Sequence, residues 1–261
     1  MRRPVALLTD FGLTDAYVGV LKAVLHTRLP GVTLLDLCHS VPPQDITAGA
    51  LLLHQAALYC PEDTVFLAVV DPGVGSCRRP ICLRVADRTL VGPDNGLLWP
   101  AATLWGAPEA FVLDRPECWL PDVGRTFHGR DIFAPVAAAL AGGASCEALG
   151  TAVSDPVRLA FPVPAGAGGA LRAEVIYVDH YGNAVTSLTP SDLGHPEPGG
   201  WRFRGERFDQ FGPVGCYTDA APGEVLVLEG SFGRYEVAVR GGNAAREVGL
   251  RVGSALTATR R

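Results

Sequence analysis

Two short segments carry the side chains best suited to acid–base chemistry. Val70-Asp71-Pro72-Gly73-Val74-Gly75-Ser76-Cys77-Arg78-Arg79 sets a carboxylate and a guanidinium on either side of a glycine turn. Phe127-His128-Gly129-Arg130-Asp131 adds an imidazole. Glycines permit the sharp turns and close backbone approach that bring such groups together. The first segment follows Thr64-Val65-Phe66-Leu67-Ala68-Val69-Val70, an apolar run that reads as a buried strand. A carboxylate just past the end of such a strand lies where open α/β sheets place their ligand chemistry. Taken alone, Asp71 and Arg78 also fit a structural ion pair that pins a loop, and His128 also fits a surface histidine.

Other candidates are weaker one by one. Asp10, in Leu8-Thr9-Asp10-Phe11-Gly12, ends the first strand and could accept two hydrogen bonds from a ribose diol, or could cap a turn or helix. Asp179-His180-Tyr181-Gly182-Asn183 follows the strand Glu174–Val178. Its aromatic could stack on a purine while Asp and Asn bond the purine edge; a plain Gly-Asn turn is the alternative. Ser231-Phe232-Gly233-Arg234 and Gly242-Asn243-Ala244-Ala245 could add backbone or small polar contacts. Gly73-Val74-Gly75 is no dinucleotide fingerprint, because no third glycine opens a helix there.

The elements that must position these groups change character along the chain. Strands at Pro4–Leu8, Val32–Leu37 and Thr64–Val70 alternate with helices over Ala16–Thr27, with Asp15 as N-cap, and from Asp45 to about Leu58. A hairpin over Ile81–Val85 and Thr89–Val91 follows, and Asp131 opens a helix to about Leu140. This alternation predicts a parallel or mixed sheet covered on both faces, the N-terminal α/β domain with a mostly parallel central sheet, residues 1–160. Residues 161–170, Phe161 to Ala170, are rich in Pro, Gly and Ala and read as a linker. From 171 to 261 helical periodicity is scarce. Strands at Leu171–Val178, Trp201–Phe208, Glu224–Glu229, Tyr235–Val239 and Ala255–Thr259 predict a C-terminal all-β barrel domain.

Composition excludes several classes. The 261 residues, 48% hydrophobic, suffice for a sizeable core. A net charge of −5 without a basic block argues against nucleic acid. No apolar run approaches the ~20 residues of a membrane span, and the N-terminus is too short in apolar residues for a signal peptide, so a cytoplasmic protein is expected. The seven cysteines form no Cys-x-x-Cys pair, so reduced thiols and no metal site are expected. Cys77 reads as a space-filler rather than a nucleophile.

In order, Thr9-Asp10-Phe11-Gly12, Asp71-Pro72-Gly73-Val74-Gly75, Pro93-Asp94-Asn95-Gly96, Phe127-His128-Gly129-Arg130-Asp131, Tyr181-Gly182-Asn183 and Ser231-Phe232-Gly233-Arg234 resemble the S-adenosylmethionine hydroxide adenosyltransferases, relatives of the bacterial fluorinase and chlorinase. The similarity spans essentially the whole chain. It implies an α/β domain followed by a β-barrel, and a homotrimer whose sites lie between the N-domain of one subunit and the C-domain of the next. It implies hydrolysis of S-adenosylmethionine at C5′ to adenosine and methionine, with no cofactor. The family's water-activating set falls on Asp71, Arg78 and His128, where register alone chooses Arg78 over Arg79. The ribose-binding aspartate falls on Asp10. Adenine and methionine contacts fall on Asp179, Tyr181, Asn183, Ser231, Glu236 and Ala244. A halogenase that forms 5′-halo-adenosine and a non-catalytic adenosine-binding protein are the alternatives. Against the halogenase, those enzymes resemble a Thr-Asp-Leu-Gly start and carry a non-acidic residue at the place of Asp71. The fluorinase also has a Trp at the place of Gln44. Tyr181 stands for the family's more usual Phe.

The expected chemistry is simple. Methionine leaves as a neutral thioether, so what is needed is a nucleophile. Bulk water, with a pKa of about 15.7, attacks slowly. Asp71, Arg78 and His128 would hold one water in line with C5′, Arg78 stabilising developing hydroxide. A carboxylate beside Arg is a poor base, so neutral His128 is the expected proton acceptor.

Overall fold

The computed structural model describes residues 2–167 and 169–261; Met1, in the expected first domain, and Gly168, in the expected linker, lie outside them. The chain divides into two units, Met1–Ala160 and Phe161–Arg261.

In the first unit, β1 (Val5–Thr9) is buried along its whole length, as is β3 (Val65–Val69). Such unbroken apolar runs belong to strands covered on both faces. The order is β1, α1 (Tyr17–Arg28), β2 (Leu34–Cys38), α2 (Ile46–Ala57), β3, β4 (Pro80–Val85), β5 (Arg88–Pro93), α3 (Trp99–Ala102), β6 (Glu109–Val112), α4 (Ala134–Ala141), α5 (Cys146–Leu149) and β7 (Thr151–Val153). They form a seven-stranded sheet in the order β2-β1-β3-β5-β4-β6-β7. Neighbours run parallel from β2 to β5 and antiparallel from β5 to β7. The sheet is therefore mixed: its parallel half carries the candidate strand ends, and the β4–β5 hairpin starts the antiparallel half. Val5, Leu7, Val65, Leu67 and Val69 pack with Leu21 and Leu25 of α1 and with Val136 and Leu140 of α4. Helix α2 approaches so closely that a Cβ at Gly49 would lie 2.9 Å from Leu97 and 3.0 Å from Val70.

Helix starts follow local chemistry with two departures. Asp45 caps α2 by accepting from the Ala48 amide at 2.9 Å. Asp15 caps nothing: α1 starts at Tyr17, and Ala16, already in the right-handed helical region, occupies the cap position without a side-chain bond. Asp131 does not open its helix either. The chain enters α4 through a π turn, Gly129–Phe133, and Asp131 turns back to accept from Gly124 N and Arg130 Nε.

The second unit comprises β8 (Ala165–Ala167), β9 (Ala170–Val178), β10 (Ala184–Thr186), α6 (Pro190–Leu193), β11 (Trp201–Arg204), β12 (Asp209–Gly212), β13 (Val225–Glu229), β14 (Tyr235–Val239), α7 (Ala244–Glu247) and β15 (Ala255–Arg260). The antiparallel path is β12-β11-β15-β9-β10-β14-β13. A bridge from Val214 to Leu228 draws its two ends together, so the sheet is a nearly closed barrel around Val175, Phe203, Val227, Val237 and Leu256. The expected linker is shorter than its composition predicts, because Ala165–Ala167 folds back and pairs with β9. The expected strand Trp201–Phe208 stops at Arg204, where the amide of Gly205 bonds the Phe208 carbonyl and turns the chain into β12. No helix among the described residues is long and apolar enough to cross a membrane.

Candidate functional site

The first half of the site forms past the C-terminal ends of β1 and β3. Asn95 holds the end of β3 by donating to the Val70 carbonyl at 2.9 Å. The chain then turns on itself: Val74 N bonds Asp71 O, Ser76 Oγ donates to Gly73 O, and Arg78 N donates to Ser76 Oγ. Gly75 is indispensable here. Its φ is +77°, and a Cβ would lie 2.3 Å from the Arg125 carbonyl oxygen. The turn returns Arg78 onto Asp71. Nε donates to Oδ1 at 2.9 Å and Oδ2 at 3.0 Å, and Nη2 donates to Oδ2. Both side chains are buried, 9% and 6% exposed. Arg79 points elsewhere, to Asp94 and Asp155.

Arg78 Nη2 also donates to His128 Nδ1 at 2.8 Å. A guanidinium has no acceptor, so His128 offers the Nδ1 lone pair and its neutral ring carries the proton on Nε2. Burial, then the Arg78 charge, pushes the His128 pKa below its usual value, against a smaller pull from Asp71. Protonation at Nδ1 would set two cations face to face. This corrects the expectation that His128 takes the water's proton, since the only free lone pair of the ring is committed to Arg78. Arg78 stacks over the Phe133 ring at 5.2 Å, and its buried Nη1 has no hydrogen-bond partner among the described residues.

A cavity of about 240 Å³ opens in front of these groups. Asp10, Gln44, Asp71, Phe127 and His128 line it, whereas Arg78 stands behind its wall. Asp10 caps no helix. Its Oδ2 accepts from the Gln44 amide at 2.8 Å, and Gln44 reaches that position with a φ of +65°. Phe11, Tyr17 and Phe127 pack edge to face, with centroids 5.4 to 6.1 Å apart.

The second half forms on the barrel. Asp179–Asn183 is a hairpin turn between β9 and β10, closed by Asp179 N to Asn183 O at 3.0 Å. Asp179 Oδ1 accepts from the amides of Tyr181 and Asn183, and Oδ2 accepts from Asn183 Nδ2 at 3.0 Å. Asn183 Nδ2 also donates to Tyr217 Oη at 3.4 Å, and Tyr217 donates to Glu236. Burial raises the pKa of both Tyr217 and Glu236. Tyr181, Asn183, Tyr217, Val239, Gly241 and Gly242 line a cavity of about 450 Å³.

The expected residues therefore divide. Asp10, Asp71 and His128 share one cavity; Tyr181 and Asn183 share the other. Asp179 and Glu236 lie beneath Asn183 and Tyr217 and position them. Ser231 is exposed on the β13–β14 turn, which Gly230 N to Arg234 O closes, and lies outside the cavity. Ala244 is fully buried as the first residue of α7 and is not among the residues that line either cavity. Tyr217 escaped the sequence reading because Cys216-Tyr217-Thr218-Asp219 lies on a short 3-10 turn without periodicity. Among the described residues, no group of three or more His, Cys, Asp or Glu could hold a metal ion.

Comparison with known proteins places the chain in a family. Residues 5–150 match the SAM hydroxide adenosyltransferase N-terminal domain and residues 173–257 its C-terminal domain. The chain is 45% identical to a protein of Salinispora tropica named (R)-S-adenosyl-L-methionine hydrolase, over 98% of this chain and 97% of that one. It is 44% identical to a protein of the same name from Thermus thermophilus, over 96% and 97%. The crystal structure of an uncharacterized conserved protein from Thermotoga maritima superposes with a TM-score of 0.91 at 33% identity, covering 98% of this chain and all of that one. With both of its domains matched in order, this chain belongs to the SAM hydroxide adenosyltransferase family.

Proposed function

We propose that this protein hydrolyses S-adenosyl-L-methionine at C5′, giving adenosine and L-methionine, with the (R)-sulfonium epimer as its substrate. The observation that carries the reading is the Asp71–Arg78–His128 constellation facing a cavity shared with Asp10. The relatives named (R)-S-adenosyl-L-methionine hydrolase support it and favour this epimer.

The chemistry follows from the charges. Substrate carries a positive sulfonium. As water attacks in line, the C5′–O bond forms and the C5′–S bond breaks with its electron pair going to sulfur. The positive charge thereby passes to the attacking oxygen, an oxonium that is strongly acidic. Even a carboxylate held by arginine can take its proton, so Asp71 receives it once the C–O bond has advanced. Arg78 and His128 fix the direction in which Asp71 points. Orientation of this kind supplies up to ~7–11 kcal/mol in favourable cases. No step calls for a metal or cofactor, because the leaving group departs neutral. The carboxylate of Asp71 disfavours a halide at the same place, which weighs against 5′-halo-adenosine formation.

Asp10 fits a ribose diol. One of its oxygens is tied to Gln44, and the other takes no hydrogen bond among the described residues. Asn183 and Tyr181 fit adenine. We propose further that the chain acts as a cytoplasmic homotrimer, in which the Asp71 cavity of one copy is completed by the Asn183 cavity of the next. The family resemblance supports this, as does a Tyr181 left 74% exposed.

The test is to incubate the protein separately with each sulfonium epimer and to separate products by chromatography. Adenosine and methionine in equal amounts, faster from the (R) epimer, are expected. Folded protein that turns over neither epimer overturns the reading, and 5′-halo-adenosine formed on adding chloride or fluoride replaces it.

A further inference from the structure

A second polar chain, running from the buried Thr9 and His39 to a half-exposed Asp36, is used by none of the chemistry above. His39 follows β2, and its side chain is 2% exposed. Its Nε2 lies 3.0 Å from Asp36 Oδ1, and its Nδ1 lies 2.9 Å from the hydroxyl of Thr9, itself fully buried. Phe11 N donates to the same hydroxyl oxygen at 3.3 Å, and Gly12 N donates to the His39 carbonyl at 2.7 Å. Lys22, the only lysine of the chain, pairs with the other Asp36 oxygen at 2.6 Å.

The direction of each bond follows from its partners. An ionised Asp36 only accepts, so His39 donates from Nε2, and as a neutral ring it keeps a lone pair on Nδ1. The Thr9 hydroxyl donates to that lone pair and accepts from Phe11. The donors from Phe11 through Thr9 and His39 thus run in one direction, from the loop to Asp36, an arrangement in which each bond polarises the next. The parallel β1–β2 register slips where this chain forms: Leu7 pairs with Asp36 but Leu8 with Cys38. Irregularities of this kind re-aim side chains near functional sites.

We propose that His39 and Thr9 are positioning residues for Asp10, holding the turn Asp10-Phe11-Gly12 so that the free carboxylate oxygen meets a vicinal diol. His39 grips both amides that follow Asp10, one through Thr9 and one through its own carbonyl. The inference rests on the reading of Asp10 as the ribose acceptor and names what aims it.

The test compares the affinities of adenosine and 2′,3′-dideoxyadenosine by calorimetry, since their ratio reports diol recognition alone. The unaltered protein prefers adenosine, and Asp10→Ala abolishes the preference. Thr9→Val, nearly isosteric, and His39→Leu reduce it about tenfold, the worth of one hydrogen bond of ordinary to high strength. Thr9→Ser, which restores the hydroxyl, keeps it. A merely structural role would lower the melting temperature and leave the ratio unchanged. If Asp10→Ala loses the preference while Thr9→Val and His39→Leu keep it, the positioning role is wrong and the ribose reading stands. If Asp10→Ala keeps it, or the unaltered protein shows none, both fall. Should His39→Leu fail to fold, Thr9→Val carries the test.

Discussion

Arg78 Nη2 lies 2.8 Å from His128 Nδ1 while the same guanidinium grips Asp71, so one side chain sets both the orientation of the carboxylate and the tautomer of the imidazole. A lysine cannot do both, because it offers a point charge rather than a planar fork. Arg78→Lys is therefore expected to lower kcat by about a hundredfold, the range of a misplaced catalytic group. Adenosine affinity, which involves neither group, stays within about threefold. Arg79→Lys is the control: it weakens the links to Asp94 and Asp155, lowers the melting temperature and spares kcat. Equal rate losses in the two variants would contradict the assignment.

The pH dependence has a definite sign. The His128 pKa lies below its ordinary value of 6.5 through burial and the Arg78 charge. Above that value the ring is neutral in both folded and unfolded chains and contributes no pH dependence. As pH falls below it, the unfolded chain binds the proton first, so stability declines towards the lowered native pKa. Activity holds through that window and declines only as pH falls through the lowered native pKa, where imidazolium is driven from Arg78. Thermal melts and kcat from neutral to mildly acidic pH check this. His128→Gln, which can still accept from Arg78, flattens the acid slope of stability. Activity that instead falls as pH rises through neutrality contradicts it.

Asn183 has both amide hydrogens engaged, on Asp179 and Tyr217. The reverse orientation would set its oxygen against a carboxylate. What it offers the cavity is therefore an acceptor, matched to the exocyclic amine of adenine and mismatched to the oxygen of hypoxanthine. Inosine is expected to bind at least about tenfold more weakly than adenosine, because a hydrogen-bonding site rejects a ligand that leaves its groups unpaired. Tyr217→Phe frees the amide and narrows the difference. Calorimetry with both nucleosides measures it, and equal affinities refute the fixed orientation.

Gly75→Ala adds a methyl where φ is +77° and the Arg125 carbonyl lies 2.3 Å away. The backbone strain alone is worth about 1–3 kcal/mol, and the clash forces the turn open. Urea melts should show the loss, and kcat should fall with it because the same turn returns Arg78 to Asp71. Asp45→Ala, which removes only the α2 cap, costs about 1 kcal/mol and leaves kcat unchanged.

Much of this protein was legible along the chain. The unbroken apolar runs of β1 and β3, the change of texture near residue 160, and the Asp45 cap all express interactions among residues close in sequence. The order of the motifs pointed to the family before any geometry was known. Interactions over longer distances were not legible. Composition alone made a linker of Ala165–Ala167, because pairing with β9 is invisible in a run of small residues. Tyr217 was missed, and the exposure of Ser231 on a turn and the burial of Ala244 under a short helix were not visible, for the same reason: they are properties of packing.

The sequence by itself determined which chemical groups were present, that Asp71 and Arg78 flank a glycine turn, and that strand ends would carry them. Only the tertiary structure decided between Arg78 and Arg79, joined His128 to Arg78 across 50 residues, and thereby removed the histidine as proton acceptor. A side chain's position follows from its local backbone, but the lone pair it keeps free depends on its neighbours in space.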